Sequence, residues 1–206
     1  MNTGAPTSLI GVACLVWWQG RLVLEVQKPH KWYIDDRQEM HIGLGCIGGG
    51  INEGESAIDA LQREAMEEMG CQIALCDAPV TYAVGPDCRV VEMEWQAPGA
   101  RPVLVWEACL PGLVPGRCVA VFRGRAVGEP IPGDLPALLC VTPELLFKVG
   151  GGGLRLAEAH KLGATLYAQV PVPEKAWLEL VGTPAVLNLL NMQGKSMVKE
   201  IMEPNL

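Results

Sequence analysis

Between Gly48 and Cys71 the chain sets a glycine triplet, a polar loop and one strongly patterned helix in a fixed order that few folds accommodate. Gly48, Gly49 and Gly50 allow backbone conformations closed to other residues and let the chain approach a ligand closely. Ser56 is placed as a helix N-cap, with Asp59 three residues later in a capping-box arrangement. Ile58, Leu61, Ala65 and Met69 recur at spacings of three and four, an apolar stripe that can bury against a sheet. Gly70 follows as the left-handed C-cap. The spacing predicts a loop–helix–loop whose helix packs on a sheet.

The same helix is crowded with acid. Glu64, Glu67 and Glu68 fall on one helical face, where like charges repel and weaken an isolated helix. Such a face is ordinarily solvated surface. It also suits a hard divalent cation, since Mg²⁺ is typically held by one or two carboxylates plus substrate phosphates. Arg63 lies four residues before Glu67 and is placed to reach back to Glu55.

Gly49, Glu55, Arg63, Glu64, Glu67, Glu68 and Gly70 together fill every fixed position of the pattern G-x5-E-x7-R-E-U-x-E-E-x-G-U, where U is bulky and apolar. Ala65 and Cys71 are softer than usual at two U positions. This is the Nudix box, and the chain resembles Nudix hydrolases. The box covers about a tenth of the chain, and the flanking pattern extends the resemblance over residues 8 to 148. The resemblance implies an α/β fold of the Nudix type, an α/β/α sandwich with a curved mixed sheet. It implies a structural role for Glu55, Arg63 and Gly70, with a salt bridge between Glu55 and Arg63 that braces the loop. It further implies Mg²⁺, with Mn²⁺ able to replace it, bound by Glu64, Glu67, Glu68 and the Gly49 carbonyl.

Composition agrees with a compact enzyme. The chain has 206 residues, half of them hydrophobic, and a net charge of −7. That balance argues against a nucleic-acid surface, which needs a basic stripe. No apolar run approaches a membrane span, and residues 1 to 7 show no charged segment leading into an apolar stretch, so no signal peptide is expected. The eight cysteines form no metal pattern and no C-x-x-C. Cys14, Cys109 and Cys140 sit in apolar surroundings as small core residues. Reduced thiols and a cytoplasmic location are expected.

Around the box, residues 8–17, 21–27, 41–47, 80–84, 88–96, 102–109 and 118–123 read as strands. Gln19-Gly20 suggests one hairpin turn and Pro98-Gly99 another. Thr142-Pro143-Glu144 reads as a helix start, with Pro143 at the first helical position. The domain reading is a Nudix domain over residues 1–149 and a C-terminal extension over 150–206. Gly150–Gly153 reads as a flexible connection, since no phosphate-loop context follows it. Residues 154–168 and 174–191 have helical potential, broken at Gly163, Gly182 and Pro184. The many leucines of the extension must pack on the core or a second subunit, and a homodimer is the expected assembly.

Outside the box the signals are weaker. His30, His41 and His160 make no zinc spacing and read as surface or hydrogen-bonded histidines. Lys28, Lys31 and Arg37 lie near the expected mouth, where they meet phosphates or are ordinary surface charge. Trp32 and Tyr33 either stack on a ring or pack the loop. Lys31, Trp32 and Arg37 are the candidate substrate contacts. Glu64 is the first choice for general base, with Glu107 or Glu129 in reserve; Glu92 and Glu94 read in part as solvent-facing strand residues. The implied activity is pyrophosphohydrolysis of a nucleoside diphosphate linked to another moiety. A catalytically silent nucleotide-sensing module and an isoprenoid-diphosphate isomerase are the alternatives. The first is disfavoured because all the metal-site glutamates are present, the second because no paired cysteine and glutamate motif can be placed.

Overall fold

The computed structural model describes residues 8–108 and 116–202. The N-terminal reading over residues 1–7, and Cys109 with the end of the 102–109 strand, lie outside the described residues.

β1 (Ser8–Trp18) and β2 (Arg21–Val26) form the hairpin expected at Gln19-Gly20. Both turn residues have positive φ, 49° at Gln19 and 75° at Gly20, which gives the two-residue turn a twist matching the strands. A 3-10 turn (Pro29–Lys31) and a short β3 (Tyr33–Ile34) lead into β4 (Met40–Gly50). β4 pairs antiparallel with β2 through Leu44–Val26 to Cys46–Leu24, and antiparallel with β1 through Ile47–Cys14 to Gly50–Gly11. Because β1 and β2 are themselves antiparallel, β4 must bend between them, and it does so at Cys46–Gly48. Gly48 sits at φ 146°, and an added Cβ would lie 2.2 Å from the Val12 carbonyl oxygen. The glycine triplet is therefore the end of a paired strand, and the free loop begins only after it.

α1 (Ala57–Met69) follows, with Ser56 as N-cap and Gly70 in the left-handed conformation at φ 66°. Ser56 Oγ accepts the Asp59 backbone amide at 3.1 Å, which caps the helix, and donates to the Asp59 carboxylate at 2.6 Å. Then come β5 (Gln72–Cys76), β6 (Thr81–Val84), β7 (Val90–Met93), β8 (Leu104–Glu107), β9 (Arg117–Val127) and β10 (Ala137–Val141). β1 runs parallel to β9, and β6 runs parallel to β8.

The chain ends with α2 (Pro143–Gly152), β11 (Leu154–Arg155), α3 (Leu156–Lys161), β12 (Thr165–Ala168), β13 (Trp177–Leu180), α4 (Thr183–Met192) and α5 (Met197–Met202). β12 pairs with β10, and β13 pairs parallel with β4. The backbone order is β11-β13-β4-β2-β1-β9-β8-β6-β7, a mixed, bent sheet. Alternation along β1 divides the core in two. Val12, Cys14 and Val16 meet Leu61, Ala65 and Met69 of α1. Leu15 and Trp17 face the layer holding Leu146 of α2, Leu187 and Leu190 of α4, and Ile201 of α5. The molecule is an α/β/α sandwich.

Four local readings differ from the structure. Pro98-Gly99 does not turn a hairpin, because β7 pairs with β6 while β8 lies between β6 and β9. Gly150–Gly152 are the last turn of α2, and only Gly153, at φ 71°, breaks it. Residues 154–168 and 174–191 contain β11, β12 and β13 as well as helices, because sheet edges at β4 and β10 were open to pair with them. Pro184 starts α4 rather than interrupting a helix. β5 and β10 fell in segments where no strand was expected. Leu156, Leu178, Leu187 and Leu190 are buried within this one chain, while Leu162, Leu189 and Met192 of the same extension are exposed.

Candidate active site

The site forms where bent β4 meets α1. The stripe of α1 turns the helix so that Leu61, Ala65 and Met69 are fully buried. That rotation fixes the glutamates differently from one another. Glu68 is buried at 7% exposure, Glu64 is partly buried and Glu67 is exposed. The shared face predicted by spacing is therefore a gradient from core to solvent.

Arg63 ties the loop to the helix. Its Nε and Nη2 grip both oxygens of Glu55 at 2.9 and 3.1 Å. Nη1 reaches Glu64 Oε1 at 2.7 Å and Glu67 Oε2 at 3.3 Å, and Nη2 also donates to the Gly50 carbonyl at 2.9 Å. Glu55 accepts the Asn52 amide at 2.9 Å, which closes the loop. A fork-to-fork pair of this kind is the strong form of an ion pair. The Arg63 hydrogen bonds, then the Asn52 amide, hold the Glu55 carboxyl below the usual range; the carboxylates in turn raise Arg63.

Gly49 lies against Glu64: an added Cβ would stand 2.4 Å from Oε1. The Gly48 amide donates to Glu68 Oε2 at 2.9 Å. Behind α1, the Ile131, Gly133 and Asp134 amides donate to the Met69, Glu68 and Glu67 carbonyls at 3.0, 2.9 and 2.8 Å. These satisfy carbonyls that a helix end leaves without partners. Gly133 permits that approach, since a Cβ there would lie 2.0 Å from the Glu67 carbonyl oxygen. Gly133→Ala is expected to destabilise the fold by about 1–3 kcal/mol, the usual range for overpacking against rigid backbone. Thermal melts check it; an unchanged melting temperature would show that the 131–134 loop moves aside freely.

Two residues that the sequence reading passed over belong here. Glu25, on β2, is in hydrogen-bond contact with Glu68, facing Lys31, Lys28 and Glu64 electrostatically. Asp134 pairs with Lys28 at 2.6 Å and adds to the negative field at Glu68. The signal for Glu25 was available: it is the one acid in Leu22-Val23-Leu24-Glu25-Val26, whose four neighbours are all buried. Asp134 had no signal, because only the fold brings its loop beneath α1. Burial, then the Glu25 charge, pushes the Glu68 carboxyl well above the usual carboxylate range; burial also raises Glu25.

Two carboxyl groups in contact, one of them buried, do not both ionise unless a cation lies between them; otherwise one of the pair keeps its proton. The donor set, hard oxygens with a glycine carbonyl at hand, fits a divalent cation such as Mg²⁺. Among the described residues no three His, Cys, Asp or Glu side chains already converge into a cage. Arg63 holds Glu64 and Glu67, while Glu68 turns towards Glu25. Mg²⁺ needs no such cage, since it keeps waters and takes oxygens from substrate phosphates.

Lys31 and Arg37 are exposed, and Arg37 lies in a turn where its amide donates to Asp35 at 2.9 Å. Trp32 is half-buried against the core and donates its indole N–H to the Gln27 carbonyl at 2.6 Å, a packing role. Tyr33 stacks on His41, with ring centroids 4.8 Å apart, and donates to Glu179 at 2.8 Å. His41 is a hydrogen-bonded histidine, 2.7 Å from Glu179. Glu107 accepts the Gly116 amide at 2.7 Å, and Glu129 is exposed. Each described cysteine is a free thiol, and no described helix is long and apolar enough to cross a membrane.

No family model and no curated protein matches the chain. Several solved structures are similar. The E. coli ORF135 protein is 18% identical with a TM-score of 0.43, covering 68% of this chain and 79% of that one. A NUDIX-family hydrolase from Clostridium perfringens is 16% identical with a TM-score of 0.43, covering 67% and 83%. A NUDIX hydrolase from Nitrosomonas europaea is 12% identical with a TM-score of 0.37, covering 68% and 60%. The last two are named as NUDIX hydrolases.

Proposed function

We propose that the chain is a divalent-cation-dependent pyrophosphohydrolase that cleaves a nucleoside diphosphate joined to another group. The observation that carries this reading is the folded box, with Glu68 buried on the Gly48 amide and Arg63 clamped to Glu55 and Glu64. Glu67 and Glu68, with the Gly49 carbonyl, would hold Mg²⁺ or Mn²⁺. When bound, the cation neutralises phosphate charge and lowers the pKa of a bound water. Glu64 orients or deprotonates the attacking water. Arg63 engages its Oε1 and so fixes the carboxylate against Gly49. Glu107 and Glu129 stay in reserve as base. Lys31 and Arg37 stay as the substrate-side candidates of the reading, while Trp32 packs the loop that carries them. The products are a monophosphate and a second phosphorylated group. A cytoplasmic location, suited to free thiols, and a homodimer complete it.

The test is metal removal with a panel of dinucleotides and sugar nucleotides as substrates. Turnover is expected to appear with Mg²⁺ or Mn²⁺ and to vanish with chelator. Full turnover in excess EDTA after metal stripping would overturn the cation dependence. Binding of panel members without release of any phosphate-containing product would overturn the hydrolase reading.

A further inference from the structure

We propose that Glu25, which lies outside the box, is a further carboxylate ligand of the cation site, supplied by the sheet to a set otherwise borne by α1. The proposal rests on the reading above and adds to it a residue that the box does not contain. Glu25 stands in the middle of a strand whose flanking residues are buried, and its side chain is directed to the α1 face, opposite to Leu24 and Val26. The β2–β4 register sets it across from Gly45. An added Cβ at Gly45 would lie 2.2 Å from Glu25 Oε1, so the strand keeps a glycine where the carboxyl needs room. The carboxyl then meets that of Glu68.

Among the described residues no cation forms an ion pair with Glu25. Arg63 is engaged by Glu55, Glu64, Glu67 and the Gly50 carbonyl. Lys28 pairs with Asp134. Lys31 acts on Glu25 through its field and forms no ion pair with it among the described residues. Two carboxyl groups from different elements, brought together with no guanidinium or ammonium of the described residues paired to Glu25, present the oxygen ligands that a hard divalent cation takes. Bridging sheet to helix also makes the cation a tie between them, so that binding stabilises the fold by mass action.

The experiment uses the full chain and Mn²⁺ alone, with calorimetric titration and thermal melts for wild type, Glu25→Gln and Glu68→Gln. Glu25→Gln is expected to weaken Mn²⁺ binding by roughly 10-fold or more. It should remove most of the Mn²⁺-induced rise in melting temperature and leave the cation-free melting temperature unchanged or higher. A merely structural Glu25 would do the reverse, lowering the cation-free value at unchanged affinity, and would overturn the proposal. Glu25→Met, of similar volume and without ligand oxygens, reads the same affinity if the glutamine variant does not fold. If Glu25→Gln binds Mn²⁺ as tightly as wild type while Glu68→Gln does not, the proposal falls and the box reading stands. If wild type binds no Mn²⁺, the proposal falls, and the box reading is decided by the substrate panel with and without Mg²⁺.

Discussion

Glu68→Gln is expected to lower kcat by roughly two orders of magnitude or more, the range seen when one preorganised group is removed where charge develops, while raising the melting temperature of the cation-free protein. The two effects have one cause. Glu68 is 7% exposed, beside Glu25, and in the field of Glu64 and Asp134. Glutamine keeps an oxygen for the Gly48 amide and removes the buried charge. About 1 kcal/mol moves the melting temperature by roughly 2–4 °C in a chain of this size, so the gain is readily measured. The sign with pH follows from linkage. A carboxyl raised in the folded state holds its proton there after the unfolded chain has lost its own. Its contribution to stability is complete below the ordinary carboxylate range and declines as pH rises from that range towards the raised folded value. Cation-free wild type should therefore lose stability between about pH 5 and pH 8, and Glu68→Gln should lose less. Melts at several pH values, with kinetics at saturating Mg²⁺, check both halves. A variant as active as wild type, or one less stable, contradicts the role given to Glu68.

Arg63→Ala is expected to lower activity and melting temperature together. The guanidinium contacts Glu55, Glu64, Glu67 and the Gly50 carbonyl, so its removal leaves several partners unmatched at once. The loss comes from three places. Glu55 no longer closes the loop, Glu64 is no longer held against Gly49, and repulsion between Glu64 and Glu67 is uncovered. Arg63→Lys should recover little, because an ammonium cannot grip both Glu55 oxygens. Glu55 is held below the usual range by Arg63, so its contribution is present above that range and fades as pH falls through the lowered value. Wild type should therefore lose its advantage over Arg63→Ala in acid. An unchanged melting temperature with lost activity would place Arg63 on the substrate instead of in the brace.

The helix of the box was legible residue by residue because its information is local. Ser56, the stripe from Leu61 to Met69, and Gly70 each act within a few positions of themselves, and the structure places the cap and stop there. The Gln19-Gly20 turn was legible for the same reason, since its two positive φ angles are a property of two adjacent residues. Pro98-Gly99 failed as a hairpin because a turn signal says that the chain reverses, not which strand becomes the neighbour. β8 instead inserts between β6 and β9.

The sequence by itself determined the register of Gly49, Glu55, Arg63, Glu64, Glu67, Glu68 and Gly70, and hence the loop–helix that brings Arg63 onto Glu55. Helical spacing is enough for that, because the partners are within one or two turns of each other or in the adjoining loop. Tertiary structure alone decided which glutamate is buried, since this depends on how far the apolar stripe rotates α1 against β1 and β4. It also decided that β4 bends at Cys46–Gly48, that Glu25 comes from β2 to meet Glu68, and that the 131–134 loop closes the end of α1. Each of these joins residues far apart in the chain. Their proximity is set by strand pairing and core packing, for which no short stretch of sequence holds the information.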